Sequence, residues 1–211
     1  NETAGKEKID LSKVTIVLGD QAGMTKAKVE ASKVLEGTPY KVKWASFQGA
    51  APLFEAVKAG SVDTAPAGDT PVLAAAASDV PIKIIATSVS SPKAVGILVK
   101  KNSSIKTIKD LKGKTVVVSS AKGIIAQYWL IEALKEEGLS TKDVNVKFVL
   151  PTDAAAAFKA GQLEAWATFD PYLAISEKND GRVLRTGEGI NTGLGFITAS
   201  EKALQDPGKK A

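Results

Sequence analysis

Residues 48–71 read QGAAPLFEAVKAGSVDTAPAGDTP, and residues 149–172 read VLPTDAAAAFKAGQLEAWATFDPY. In the first stretch the pattern predicts a helix over Pro52 to Ala59 that stops at Gly60. A short strand follows around Val62 to Ala65, and a second helix is opened by Asp69-Thr70-Pro71. A constant shift of 101 residues superimposes the second stretch on it: Ala56 meets Ala157, Lys58-Ala59-Gly60 meets Lys159-Ala160-Gly161, Asp63 meets Glu164, and Asp69 meets Asp170. Caps and stops recur by chance in any α/β chain, but one offset held without a gap is the mark of a duplicated unit.

The same shift carries outward, pairing Val17 with Val118, Glu36-Gly37 with Glu137-Gly138, and Phe47 with Phe148. A strand over Val14 to Leu18, a helix over Lys26 to Leu35 ending at Gly37 and a strand over Lys41 to Phe47 give the alternation of a parallel sheet with crossover helices. Ile82 to Thr87 and Val95 to Val99 read as strands after the first copy, and Arg182 to Thr186 and Leu194 to Ala199 after the second. The expected fold is two-lobed α/β, each lobe a parallel-sheet unit with helices on both faces. Expected boundaries are a tail over 1–13, a first lobe over 14–97 plus 194–211, and a second over 98–193. The hinge falls near 95–100 and 187–195, where Gly96 and Gly193 to Gly195 tolerate backbone rotation. The basic ends, Lys6 to Lys13 and Lys209-Lys210, read as tails.

The chain has 211 residues, 44% hydrophobic and 24% charged, with a net charge of +5. Its lysines are scattered rather than striped, which argues against a nucleic-acid footprint. It has no cysteine and no histidine. That excludes disulfides, thiolate nucleophiles, imidazole bases and the usual zinc sites, so no cofactor, no metal and no catalytic residue is expected. No run approaches the ~20 apolar residues that span a bilayer. Asn1 to Asp10 is polar, as expected of a cytoplasmic chain or of one whose signal peptide or lipid-anchored leader has been removed.

Ligands of open α/β sheets bind beyond the carboxyl ends of the strands. The repeat therefore names the facing loops: Gly19 to Gly23, Gln48 to Ala51 and Gly68 to Pro71 against Ser119 to Gly123, Leu150 to Asp153 and Phe169 to Tyr172. Helix starts offer free N–H groups and about half a positive charge to an anion. Lys122-Gly123 is the candidate anion segment, because it enters a helix over Ile124 to Glu137 without an acidic cap. A plain turn carrying a solvated lysine is the alternative. Asp69 and Asp170 read as helix caps, with contact to a ligand hydroxyl or amine as the other possibility. Phe169 stands at the rim of the cleft, whereas Trp44 and Trp166 lie within strands and suit the core.

The motifs Gly68-Asp69-Thr70-Pro71, Asp110-Leu111-Lys112-Gly113-Lys114, Ala155 to Gly161 and Phe169-Asp170-Pro171-Tyr172 resemble the ABC-transporter binding proteins for aliphatic sulfonates, taurine and nitrate. The likeness runs from about Val14 to Ser200. It implies a type II-like periplasmic-binding-protein fold and a periplasmic or lipid-anchored monomer that binds a small-molecule ligand, closes by hinge motion and serves a membrane permease and ATPase. Carried over by position, ligand contacts fall on Gln21, on Gln48, Gly49 and Ala50, on Asp69 and Thr70, on Gly123, Ile124 and Ile125, and on Phe169 and Asp170, beside the candidate Lys122 already named. Sulfonate binders of that family commonly place hydroxyl residues where this chain has Ile124-Ile125, which points to a more apolar or differently charged ligand. The family commonly continues in helices that pack on the first lobe. Other readings are a binder of a zwitterion, aromatic acid or pyrimidine, and the effector-sensing fragment of a transcription regulator. Enzymes of similar resemblance would need histidine or cysteine.

Overall fold

The computed structural model describes residues 9–211. The chain runs β1 (Thr15–Gln21), α1 (Met24–Ser32), β2 (Lys41–Phe47), α2 (Ala50–Lys58), β3 (Thr64–Gly68), α3 (Asp69–Ala77) and β4 (Ile82–Val89). It then crosses to β5 (Val95–Lys100), β6 (Thr115–Val118), α4 (Ile125–Glu136), β7 (Asn145–Phe148), α5 (Pro151–Lys159), β8 (Ala165–Phe169), α6 (Tyr172–Asn179) and β9 (Gly181–Thr186). It returns through β10 (Leu194–Ser200) to α7 (Glu201–Gln205) and α8 (Pro207–Lys210).

The duplication is structural. Helices α1 and α4, helices α2 and α5, and strands β3 and β8 begin at positions related by the shift read from the sequence. The stops repeat too: Gly60 and Gly161 take φ of 76° and 74°, a left-handed conformation that glycine adopts without steric cost.

Two five-stranded sheets result, ordered β2-β1-β3-β10-β4 and β7-β6-β8-β5-β9. Strands β1, β2 and β3 pair in parallel, as do β6, β7 and β8. The sheets are mixed rather than parallel, however, because β10 lies antiparallel to β3 and β4, and β5 antiparallel to β8 and β9. A strand arriving by a crossing from the other lobe, without a crossover helix, enters in the opposite sense.

The whole of β5 belongs to the second sheet, so the first crossing lies between Val89 and Val95 instead of at 95–100, and Val95 to Ile97 leave the first lobe. Gly96 is accordingly inside a strand. The second crossing, from Gly187 to Gly193, touches the first: the Ser90 N–H donates to the Gly193 carbonyl at 2.7 Å.

Where they are described, the two expected tails are held by hydrogen bonds. Residues 1–8 of the expected tail lie outside the described residues, but Asp10 caps a 3-10 turn over Leu11–Lys13. Lys209 donates to both carboxylate oxygens of Asp63 at 2.8 Å. Asp63 is buried and also accepts the Val17 N–H, so a cation here offsets the cost of its desolvation.

The second lobe has the larger core, built on β5 and on Trp129, Leu130, Ala133 and Leu134 of α4. Trp166 is fully buried and donates to Ser119 Oγ at 2.8 Å, while Trp44 is only half-buried. The first lobe packs Leu53, Phe54 and Val57 of α2 beneath Val62 and Val72. Among the described residues no helix is long and apolar enough to cross a membrane.

Candidate functional site

A cleft of about 250 Å³ lies between the lobes, roofed by strand ends and helix starts and floored by the two crossings. Gln21, Ala50, Ile124, Ile125, Phe169 and Asp170 line it, all of them among the expected contacts. Its walls are largely apolar, with Met24, Pro66, Pro71, Val95 and Leu194 completing them. Ser90, Asn191 and Gly193 come from the crossings and Ser88 from the end of β4, a contribution missed by looking only at the loops named from the repeat. The glycines at 193 and 195 were the available signal, since backbone that packs against backbone there also forms the cleft floor.

The other expected contacts stand outside this lining. Lys122 is exposed, and the Gly123 N–H is taken by Gln127 Oε1 at 2.7 Å. Asp69 accepts the N–H of its neighbour Thr70 at 2.6 Å and the hydroxyl of Thr192 at 3.4 Å. Gly49 is pressed between the lobes, where a Cβ would stand 3.4 Å from the Phe169 ring and 3.8 Å from Ser120. Gln48 turns its amide oxygen to Thr152 of the other lobe, whose hydroxyl donates to it at 2.6 Å.

The helix starts around the cleft differ in a way the repeat makes legible. In α1 the buried Asp20 accepts from the N–H groups of Gly23, Thr25 and Lys26 at 2.6, 2.7 and 3.1 Å, and from Ser46 Oγ at 3.1 Å. That helix start is neutralised from within, so Asp20 is a cap with no capacity left for a cation. In α4 the position equivalent to Asp20 is Ala121, and the Ile124 cap has no side-chain hydrogen bond. Helix α2 likewise begins at Gly49 without a side-chain cap. Two open helix starts, one from each lobe, therefore border the same cleft.

Ser120 sits between them. It is 7% exposed, and among the described residues its Oγ is the buried side-chain atom without a hydrogen-bond partner. A hydroxyl stripped of water and partner costs about 1–3 kcal/mol, a cost relieved when a ligand oxygen arrives. Ser119 beside it is already committed to Trp166 and Thr168.

Gln21 donates through Nε2 to the Pro66 carbonyl at 2.9 Å, which fixes its side chain in the wall. Burial raises the Asp170 carboxyl above the ordinary range, an effect partly opposed by the Ala174 N–H at 3.1 Å. Phe169 packs edge-on against Tyr172, with ring centroids 5.9 Å apart. Among the described residues no cluster of three or more acidic side chains is gathered to hold a metal ion.

A family description, NMT1/THI5-like, matches residues 42–207. The chain belongs to the NMT1/THI5-like family. Two relatives named for binding aliphatic sulfonates share its sequence. That of Escherichia coli (strain K12) is 37% identical over 75% of this chain and 50% of its own length. That of Bacillus subtilis (strain 168) is 40% identical over 70% and 44%. The chain thus spans about half the length of these curated relatives.

Among solved structures, the alkanesulfonate-binding protein SsuA of Xanthomonas axonopodis pv. citri, bound to MOPS, superposes with a TM-score of 0.80. It is 34% identical, covering 90% of this chain and 67% of that one. This member of the NMT1/THI5-like family accordingly has the two-lobed periplasmic-binding-protein fold.

Proposed function

We propose that this chain is the ligand-binding core of an extracytoplasmic solute-binding protein, and that it holds a small organic anion of the alkanesulfonate class between its lobes. The observation that carries the reading is the buried, unpartnered hydroxyl of Ser120 set between two uncapped helix starts. Three sulfonate oxygens suit this donor set: a side-chain O–H from one side and backbone N–H groups from α2 and α4 on the others. The apolar walls then take the carbon chain. The names of the relatives in Escherichia coli and Bacillus subtilis, and the MOPS complex of the structural relative, support the same ligand class.

The relatives are named as binding proteins, which supports a binder and not a catalyst. In this reading the chain acts as a monomer, in the periplasm or lipid-anchored at the outer face of the membrane. It delivers its ligand to an ABC permease and ATPase, and rotation about the two crossings opens and closes the cleft. Asp170 in the lining favours a second ligand type, a zwitterion whose amine faces that carboxylate.

The test is thermal unfolding of the purified chain with methanesulfonate, hexanesulfonate, MOPS, taurine, nitrate, carboxylates and pyrimidines. A ligand at 100 times its Kd should add about 2.7 kcal/mol of stability. Ser120→Ala should then weaken the best sulfonate about 10- to 100-fold, the worth of a hydrogen bond to a charged group. Stabilisation by carboxylates alone would overturn the sulfonate assignment.

A further inference from the structure

Gln48 stands at the exit of β2 in the first lobe, and its bonds go to the second lobe instead of to the cleft. Its amide oxygen accepts the Thr152 hydroxyl at 2.6 Å and the Thr152 N–H at 3.3 Å. Its backbone carbonyl accepts the Tyr172 hydroxyl at 3.2 Å. Thr152 and Tyr172 begin α5 and α6, two different elements of the second lobe. Immediately after Gln48, Gly49 faces Phe169 and Ser120 of the second lobe, where a Cβ would stand 3.4 and 3.8 Å from them. None of Gln48, Thr152 and Tyr172 lines the cleft.

We infer that Gln48, Thr152 and Tyr172 form a clasp that holds the lobes shut and sets the affinity for every ligand of the cleft by the same factor. These bonds join groups that separate when the lobes part, so they stabilise the closed form alone. If the closed form is the binding-competent one, apparent affinity scales with its population, whatever the ligand. A residue touching the ligand would instead change the ranking of ligands. Gln48 is thus a positioning residue acting through closure, and the inference rests on the proposal that the cleft between the lobes is the binding site.

Because the chain has no cysteine, two labels can be placed without background. Lys43→Cys on β2 and Lys147→Cys on β7 put exposed labels on edge strands of opposite lobes. The label distance distribution is measured by pulsed electron resonance in the free protein, for the labelled parent and for Gln48→Ala, Tyr172→Phe and Gln48→Glu. Gln48→Ala and Tyr172→Phe should move population to longer distances. Gln48→Glu, which keeps an acceptor for Thr152, should stay close to the parent.

Affinities for hexanesulfonate and MOPS should each fall about three- to tenfold in Gln48→Ala, by equal factors, the size expected from one or two neutral hydrogen bonds. Unchanged distances in both weakening variants would overturn the clasp. So would unequal losses for the two sulfonates. If neither sulfonate binds the parent, the ligand assignment fails while the distance measurement still decides the clasp.

Discussion

Ala121→Asp should make the protein more stable and a worse binder. The first lobe shows what an aspartate does at this place in the repeat: Asp20 holds the Thr25 and Lys26 N–H groups of α1 at 2.7 and 3.1 Å. By the same register an aspartate at 121 reaches the N–H groups of Ala126 and Gln127 at the start of α4. A cap of this kind contributes about 0.5–2 kcal/mol. For a chain of this size that raises Tm by about 2–4 °C per kcal/mol.

The same substitution removes a donor from the anion. The Gln127 N–H already donates to the Ile124 carbonyl at 3.2 Å, so the anion loses one hydrogen bond, a loss of about 1.5–3 kcal/mol, or roughly 10- to 10²-fold in Kd. Repulsion between two negative groups adds to it. Scanning calorimetry without ligand reads the first effect, and titration with hexanesulfonate reads the second. A rise in Tm with unchanged affinity would show that the start of α4 is not the anion site. Most substitutions that abolish binding also destabilise, so opposite signs in the two measurements would be hard to obtain by any other route.

Gly193→Ala should cost about 2–4 kcal/mol in urea unfolding, because an alanine is strained at φ 73° and its Cβ would fall 2.0 Å from the Ser90 carbonyl oxygen. A loss below ~0.5 kcal/mol would mean that the crossings are not packed as described. Asp170 gives a pH dependence. Its folded pKa is raised by burial, so the folded state holds the proton more tightly and stability falls as pH climbs from the unfolded value of 3.8 through the raised one. Sulfonate affinity should fall over the same window as the carboxylate charges, and Asp170→Asn should flatten both profiles; a wild-type slope surviving in the variant would assign the titration elsewhere. Ile125→Ser should weaken hexanesulfonate about tenfold and methanesulfonate less than twofold, since only the longer chain reaches that apolar wall. Equal losses would place Ile125 at the anion instead of the tail.

The repeat made most of the fold legible. Strand β2 spans the predicted Lys41 to Phe47, and the helix predicted from Asp69 begins there. These features are local, set by β-branched alternation and by left-handed glycine stops. The antiparallel insertion of β5 and β10 was not legible, because a buried strand has the same composition in either direction. The site divided along similar lines. Positions such as Ala50 and Ile124 follow from the strand and helix ends. Which way a loop side chain turns depends on the opposite lobe, and that decided Gln48, whose partner Thr152 is distant in sequence. Ser120 was within a named loop, but only the commitment of Ser119 to Trp166 and Thr168 reveals which of the two hydroxyls is free.

The exchange of strands also governs the order in which the lobes can be completed as the chain emerges from its N-terminal end. The five strands of the second sheet are consecutive from Val95 to Thr186, so that lobe is complete as soon as β9 has emerged. The first sheet is not, because among the described residues β4 pairs only with β10, and β10 also flanks β3. Everything from Thr15 to Val89 therefore waits, with an open sheet edge, until Leu194–Ser200 is synthesised. The half that emerges first is the half that finishes last, and during that interval the open edge of β3 and the unpaired β4 are the part of the chain most in need of protection from aggregation.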